Sequence, residues 1–164
     1  MNKALFLDRD GVINFDFGHV YKNDEFAFID GIFDLCEFMQ REGYLIIVVT
    51  NQAGIGKGFY KLSDFLKLDS WMKKKFLEKN IEIQKTYFCP HKPEDNCLCR
   101  KPKPGMLLKA LSEFDIDPKK SVLIGDKQSD VLAGESAGIH HILLFNEANH
   151  FKNIELLKAM LNEG

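Results

Sequence analysis

No apolar run in this 164-residue chain is long enough to cross a bilayer, which takes about 20 consecutive apolar residues. An excess of one charge is missing as well. Lys and Arg number 22 against 24 Asp and Glu, a net charge of -2, so the broad basic footprint of a nucleic-acid binder is absent. The densest basic run, Lys73-Lys74-Lys75, lies in a helical pattern beside Trp71 and reads as a solvated helix face. The first residues lack the charged, apolar, small-residue order of a secretory signal, because Asp8 interrupts the apolar stretch. These absences predict a cytoplasmic monomer with no membrane or nucleic-acid partner. Its four cysteines are then reduced, serving as ligands or core residues. Several familiar motifs are also lacking. No Cys-x-x-Cys occurs, which removes a thioredoxin-like redox site. Gly54-Ile55-Gly56-Lys57-Gly58 is not a phosphate loop, since Asn51 stands where the first glycine belongs and Gly58 follows the lysine. It is not a dinucleotide fingerprint either, since Phe59 stands at the third glycine.

What remains is a soluble globular balance of 45% hydrophobic and 28% charged residues, without repeats or low-complexity linkers. The length suits one domain, residues 1–164, with a real core. Apolar strand-like runs recur at Ala4–Leu7, Leu45–Val49, Thr86–Phe88, Val122–Ile124 and Ile142–Phe145. Helical periods lie between most of them: Ile32, Leu35, Cys36 and Met39; then Leu62 to Leu77; then Met106 to Phe114; then Val131, Leu132 and Ala137, with a last one over Ile154 to Leu161. Alternation of strand and helix implies a mostly parallel sheet with helices on both faces. Cys36 sits on an apolar helix face and reads as core; His140 and His141 read as structural. Two connections, Arg9 to Asp30 and Cys89 to Pro104, are long enough to expect function in them.

Charged and polar residues gather where strands end. Asp8 and Asp10 follow the first strand one residue apart, so in extended chain they face the same way. Like charges so close need a cation or a shared proton. An EF-hand does not fit, because the glycine of Asp8-Arg9-Asp10-Gly11 arrives too early and a strand precedes it. The second strand ends in Thr50-Asn51, a hydroxyl and an amide able to donate to phosphate oxygens. The fourth ends in Gly125-Asp126-Lys127, with Asp130 a turn later. Asp126 can join the first pair around Mg²⁺, or cap a helix. Cys89, His91, Cys97 and Cys99 fall within eleven positions, a complete tetrahedral Zn²⁺ shell with no open place, hence a structural site in a loop spanning 89–101. The Arg100-Lys101-Pro102-Lys103-Pro104 segment follows directly. Spacing alone does not choose between Lys101 and Lys103 for an inner role.

Taken in order, Asp8/Asp10, Thr50, Lys101 and Gly125-Asp126 with Asp130 resemble the haloacid dehalogenase-like phosphatases. Within them the likeness is greatest to the branch acting on heptose bisphosphates. It is carried by Phe6–Asn14, Phe28–Gly31, Thr50–Ile55, Cys99–Pro102 and Gly125–Lys127, and extends over nearly the whole chain. The resemblance implies a three-layer Rossmann-like sandwich with no cap domain, and an enzyme of sugar-phosphate metabolism in the synthesis of nucleotide-heptose precursors and lipopolysaccharide. It selects Lys101 over Lys103. It implies Asp8 as nucleophile, Asp10 as proton donor and acceptor, and Thr50 and Lys101 as stabilisers of the phosphoryl group. Mg²⁺ would be held by Asp8, Asp126 and Asp10, the last through its backbone carbonyl. Substrate contacts would come from Asp16, Phe17, Gly18, His19, Asn51, Gln52, Ala53, Arg100 and Lys127. The zinc-loop spacing also matches histidinol-phosphate phosphatases, so loop length does not separate the two. A polynucleotide 3′-phosphatase is disfavoured by the charge balance. A non-catalytic zinc-stabilised binding domain is the alternative of a different class.

Overall fold

The structure is a computed structural model and describes residues 1–146 and 150–162. Five strands, β1 (Lys3–Leu7), β2 (Tyr44–Asn51), β3 (Ile83–Cys89), β4 (Val122–Gly125) and β5 (His141–Leu144), form one sheet in the order β3-β2-β1-β4-β5, each neighbouring pair parallel. Side chains along the central strand alternate between two buried faces, which is why it reads as an uninterrupted apolar run. Leu5 and Leu7 join Ile46, Val48, Val122 and Ile124 on one face. There they meet α1 (Ile32–Arg41), α3 (Leu62–Leu77) and α6 (His150–Asn162). Ala4 and Phe6 join Ile47, Val49 and Leu123 on the other, under α4 (Gly105–Glu113) and α5 (Gln128–Ser136). The helix–sheet–helix layering is the one expected. A further short helix, α2 (Ala53–Gly56), follows β2 directly and has no counterpart in the sequence expectation.

Boundaries differ in places. β3 begins at Ile83 rather than Thr86, because it is an edge strand whose outward residues Gln84 and Lys85 break the apolar run. β5 starts and ends one residue before the expected span. On α5 the buried face is Asp130, Ala133 and Gly134, while Leu132 is 43% exposed, so the periodicity read from Leu132 marked the wrong side.

The chain lays β2 and β3 to one side of β1, then returns to lay β4 and β5 on the other. The order therefore reverses between β1 and β4, where open α/β sheets form a crevice at the carboxyl ends of their strands. Leu7 is level with Val48 and Ile124, so Asp8, Thr50 and Asp126 leave the sheet at that same end. The connection after β1 folds back over it. Asn14 bridges both Asp10 and Phe28, and Val12, Ile13, Val20 and Phe26 are buried in the core. Among the described residues no helix is long and apolar enough to cross a membrane.

Candidate active site

Asp8 continues the β1–β4 pairing through its amide, which donates to the Ile124 carbonyl at 3.1 Å. Its carboxylate lies with those of Asp126 and Asp130, one oxygen of each within 4.8 Å of the others. The Lys101 ammonium sits against this group, 3.0 Å from Asp8 Oδ1 and 2.6 Å from Asp130 Oδ1, and donates to the Val49 carbonyl at 2.9 Å. All three donor positions of the lysine are thus used, in a side chain that is 4% exposed. Lys103 is exposed and donates to the Cys97 carbonyl, so the inner cation is Lys101. Burial pushes the Asp8 carboxyl well above its ordinary range; Lys101 opposes this and the two neighbouring carboxylates add to it. Burial works to lower the Lys101 ammonium, but Asp8 and Asp130 more than offset it and the net direction is upward.

Asp126 fits a cation better than a cap. The helix α5 is closed instead by Asp130, whose Oδ2 accepts from the amides of Asp126 and Lys127 at 3.1 Å each. Asp126 Oδ1 is buried without a hydrogen-bond partner among the described residues, a costly state that a divalent ion relieves. Burial and Asp130 raise its carboxyl. An all-carboxylate donor set of this kind suits Mg²⁺. Gly11 has φ +89°, and a Cβ there would stand 2.1 Å from Asp126 Oδ2, so the glycine of Asp8-Arg9-Asp10-Gly11 clears space for the third carboxylate. Asp130, present in the sequence pattern but not assigned a site role, is the residue that joins Lys101 to the helix.

Asp10 faces elsewhere. Its Oδ1 accepts from Arg9 Nη2 at 3.0 Å and Asn14 Nδ2 at 3.1 Å, and its Oδ2 from Gln52 Nε2 at 3.2 Å. The side chain of Asp10 is therefore not one of the clustered carboxylates, which leaves its backbone carbonyl as the atom able to meet a metal there. Gln52 Nε2 also donates to Thr50 Oγ1 at 3.0 Å, and the Tyr60 hydroxyl donates to Gln52 Oε1. Burial pushes the Tyr60 phenol up to about 12, so it keeps its proton and fixes which way the Gln52 amide points.

A cavity of about 490 Å³ opens beside Asp10. Of the anticipated contacts, Asp16, Gly18, His19, Asn51, Gln52, Ala53, Arg100 and Lys127 line it. Phe17 does not; it is 67% exposed, packs beside Phe15 and lines a neighbouring depression. Thr50 is buried and off the cavity wall. Lys57, Tyr60, Pro102 and Ser129 line the cavity without having been anticipated. Lys57 belongs to the glycine-rich stretch set aside as no phosphate loop, so its cation went unread. Arg100 Nη1 is buried and unpartnered among the described residues.

Cys89, His91, Cys97 and Cys99 converge. Cys89 Sγ is 3.5 Å from Cys97 Sγ and 3.2 Å from Cys99 Sγ, and His91 Nδ1 is 3.4 Å from Cys89 Sγ and 3.2 Å from Cys99 Sγ. All four cysteines of the chain are free of disulfides. A tetrahedron with Zn–S arms of about 2.3 Å has edges of about 3.8 Å, so small outward movements admit the ion. Burial raises the Cys97 thiol, but the Arg100 amide and the neighbouring thiols outweigh it and bring it down to about 6, whereas burial pushes Cys89 up to about 12 and raises Cys99, so one thiol of the three gives up its proton readily without a metal. The donor set can hold zinc and leaves no coordination position open for chemistry.

The comparisons agree with this geometry. A HAD-hydrolase-like family model matches residues 98–154. The D-glycero-alpha-D-manno-heptose-1,7-bisphosphate 7-phosphatase of Campylobacter jejuni is 51% identical over 98% of this chain and 94% of its own length. The corresponding beta-named enzyme of Haemophilus influenzae is 44% identical, over 85% of this chain and 79% of that one. Among solved structures, D,D-heptose 1,7-bisphosphate phosphatase from B. bronchiseptica, complexed with magnesium and phosphate, has a TM-score of 0.80 at 29% identity, covering 86% of this chain and 79% of that one. The chain belongs to the haloacid dehalogenase-like hydrolases, in the family of the heptose-1,7-bisphosphate 7-phosphatases.

Proposed function

We propose that this enzyme removes the 7-phosphate of D-glycero-D-manno-heptose 1,7-bisphosphate, a phosphoric monoester hydrolysis, and that it takes the α anomer. The observation that carries the reading is a buried carboxylate, Asp8, paired with a buried lysine beside a cavity that Arg100 and Lys127 also line. Support for the anomer comes from relatives: two named for the α form are 51% and 50% identical, and six named for the β form 42–46%. The 164 residues act as one domain, with the loop 89–101 held by a structural zinc. The reading includes no membrane or nucleic-acid partner and places a monomer in the cytoplasm, supplying heptose 1-phosphate to nucleotide-heptose and lipopolysaccharide precursor synthesis.

In this mechanism Asp8 attacks phosphorus, forming an aspartyl-phosphate as the bond to O7 breaks. Asp10 gives its proton to O7, then takes one from the water that hydrolyses the acyl phosphate. Lys101 and Thr50 stabilise the phosphoryl oxygens, and Asp130 holds Lys101 in place. Asp8, Asp126 and the Asp10 carbonyl would hold Mg²⁺, which would supply positive charge to the transferring group. Arg100 and Lys127 engage the phosphate at carbon 1. Phosphate monoesters demand enhancements approaching ~10²¹, of which general acid catalysis supplies only about 10² to 10⁴, so positioning and electrostatics carry the larger part.

The test follows phosphorus by ³¹P NMR with Mg²⁺ present, using both heptose bisphosphate anomers and histidinol phosphate. Loss of the C7 resonance alone, faster for the α anomer, is expected. Faster hydrolysis of histidinol phosphate would reverse the substrate assignment. No phosphate release from any ester would leave the zinc-stabilised binding domain as the reading.

A further inference from the structure

Arg9 stands between the two aspartates and is 2% exposed. By strand alternation it points to the opposite face from Asp8, into the aromatic side of the core. Its guanidinium carbon lies 5.8 Å from the Phe26 ring centre and 5.9 Å from that of Phe65. One nitrogen, Nη2, makes both of its hydrogen bonds: to Asp10 Oδ1 at 3.0 Å and to the Val20 carbonyl at 2.8 Å. Nε and Nη1 are buried without a partner among the described residues. A cation so placed is expensive, and an apolar side chain of similar size would fill the space between the two rings with less desolvation. Stability does not account for an arginine here. Its two acceptors do. One is the carboxylate read above as the acid and base. The other is the backbone at the end of the Asp16–His19 stretch, three residues of which line the cavity.

We propose that Arg9 is a positioning residue: through Nη2 it fixes the Asp10 carboxylate toward the leaving oxygen and ties that placement to the segment ending at Val20. The inference rests on the reading of Asp10 as general acid. Without Arg9, Asp10 keeps only neutral amide donors, Asn14 and Gln52, and its oxygen is free to swing while the connection after β1 loses a link to the acid. A placement error of this kind lowers rate more than it lowers binding.

The leaving group separates this role from a merely structural one. A sugar alkoxide needs the proton, whereas nitrophenolate departs without it. For Arg9→Met, kcat/KM on the heptose bisphosphate is expected to fall roughly 30-fold, and on p-nitrophenyl phosphate by less than about 3-fold, within the range of general acid catalysis. Arg9→Lys should recover part of the first loss. It also carries the test alone if the Met variant does not fold. Asp10→Asn sets the scale, and in that background Arg9→Met should change neither rate further. Equal losses on both esters for the Arg9 variants, with unequal losses for Asp10→Asn, would overturn the positioning role alone. Equal losses for Asp10→Asn itself would overturn the acid reading beneath it.

Discussion

Replacing Lys101 by Met removes the ammonium that pairs with two of the three clustered carboxylates, Asp8 and Asp130, and its cost follows from the distances. At an effective dielectric constant of about 20, contacts at 3.0 and 2.6 Å from Asp8 and Asp130 are each worth about 5–6 kcal/mol of attraction before desolvation. Releasing the ammonium from burial returns much of that, and deletion of one partner from a buried pair typically costs about 3–5 kcal/mol. For a domain of this size the metal-free variant should melt roughly 6–20 °C lower. Two modulations distinguish this cause from lost packing. Asp8, already raised by burial and by its carboxylate neighbours, rises further without Lys101. A carboxyl raised above its unfolded value stabilises the fold at acid pH and loses that contribution as pH climbs through the folded value, so the variant is penalised more at about pH 8 than at about pH 5. Mg²⁺ replaces part of the missing charge, so the same denaturant titration in excess Mg²⁺ should show a smaller gap than in chelator. Phosphate release should still fall by about 10²–10³, since the proposed mechanism then loses a stabiliser of the phosphoryl oxygens. A loss below about 1 kcal/mol in chelator near pH 8, or one indifferent to both pH and Mg²⁺, would refute the electrostatic argument.

Asp8→Asn should abolish phosphate release while leaving unfolding by urea cooperative; turnover near that of the unaltered enzyme would remove Asp8 as nucleophile. Gly11→Ala forces a β-carbon to within 2.1 Å of Asp126 Oδ2 in a left-handed turn, so the Mg²⁺ concentration for half-maximal activity should rise about 10–100-fold, with a stability loss of only roughly 1–2 kcal/mol. An unchanged Mg²⁺ requirement would show that Asp126 does not hold the ion. Elemental analysis should find one zinc per chain that survives dialysis against Mg²⁺, and Cys99→Ser should lose the metal, melt earlier and lose activity; a metal-free protein of normal stability would rule the structural site out.

Much of the site was legible because strand ends collect in one place. A buried parallel strand reads as an apolar run, and the polar residues that interrupt it mark where the sheet stops. Asp8, Thr50 and Asp126 were found that way, and the topology delivers all three to the reversal between β1 and β4. What sequence could not supply was contact across long separations. Asp130 looked like a motif residue, yet its partners are Lys101 and two amides, a fact of how α5 sits against the zinc segment. Alternation along the chain turns Arg9 away from Asp8, but its acceptor at Val20 exists only once the following connection returns over β1. Phe17 was carried along with its neighbours Asp16 and Gly18, but its ring packs beside Phe15 and lines a different depression. Edge strands hid their ends for the converse reason: exposure breaks the apolar run that marks buried ones.

The zinc loop follows from the demand for a buried lysine. Lys101 must be delivered between Asp8 and Asp130 to within hydrogen-bond distance, and a lysine so enclosed tolerates little play. The segment that carries it has little apolar support: between Cys89 and Lys101 no residue is buried, Cys97 and Cys99 rest only partly covered against the core, and Leu98 is 81% exposed. A loop of that composition cannot offset its own ordering entropy by burial. Two other anchors stand at its ends. Cys89, the last residue of β3, brings the metal cluster onto the sheet. At the far end the Asn51 side chain pairs with the Lys101 backbone on both sides, accepting from its amide at 3.1 Å and donating to its carbonyl at 3.2 Å. Coordination would fix the loop, Asn51 fixes the residue, and the ammonium would arrive already oriented. A metal with no open position would thereby act on the proposed catalysis at a distance. Removing it should cost phosphate release even where the sheet and the carboxylates remain folded, and adding zinc back should restore rate and Lys101 placement together.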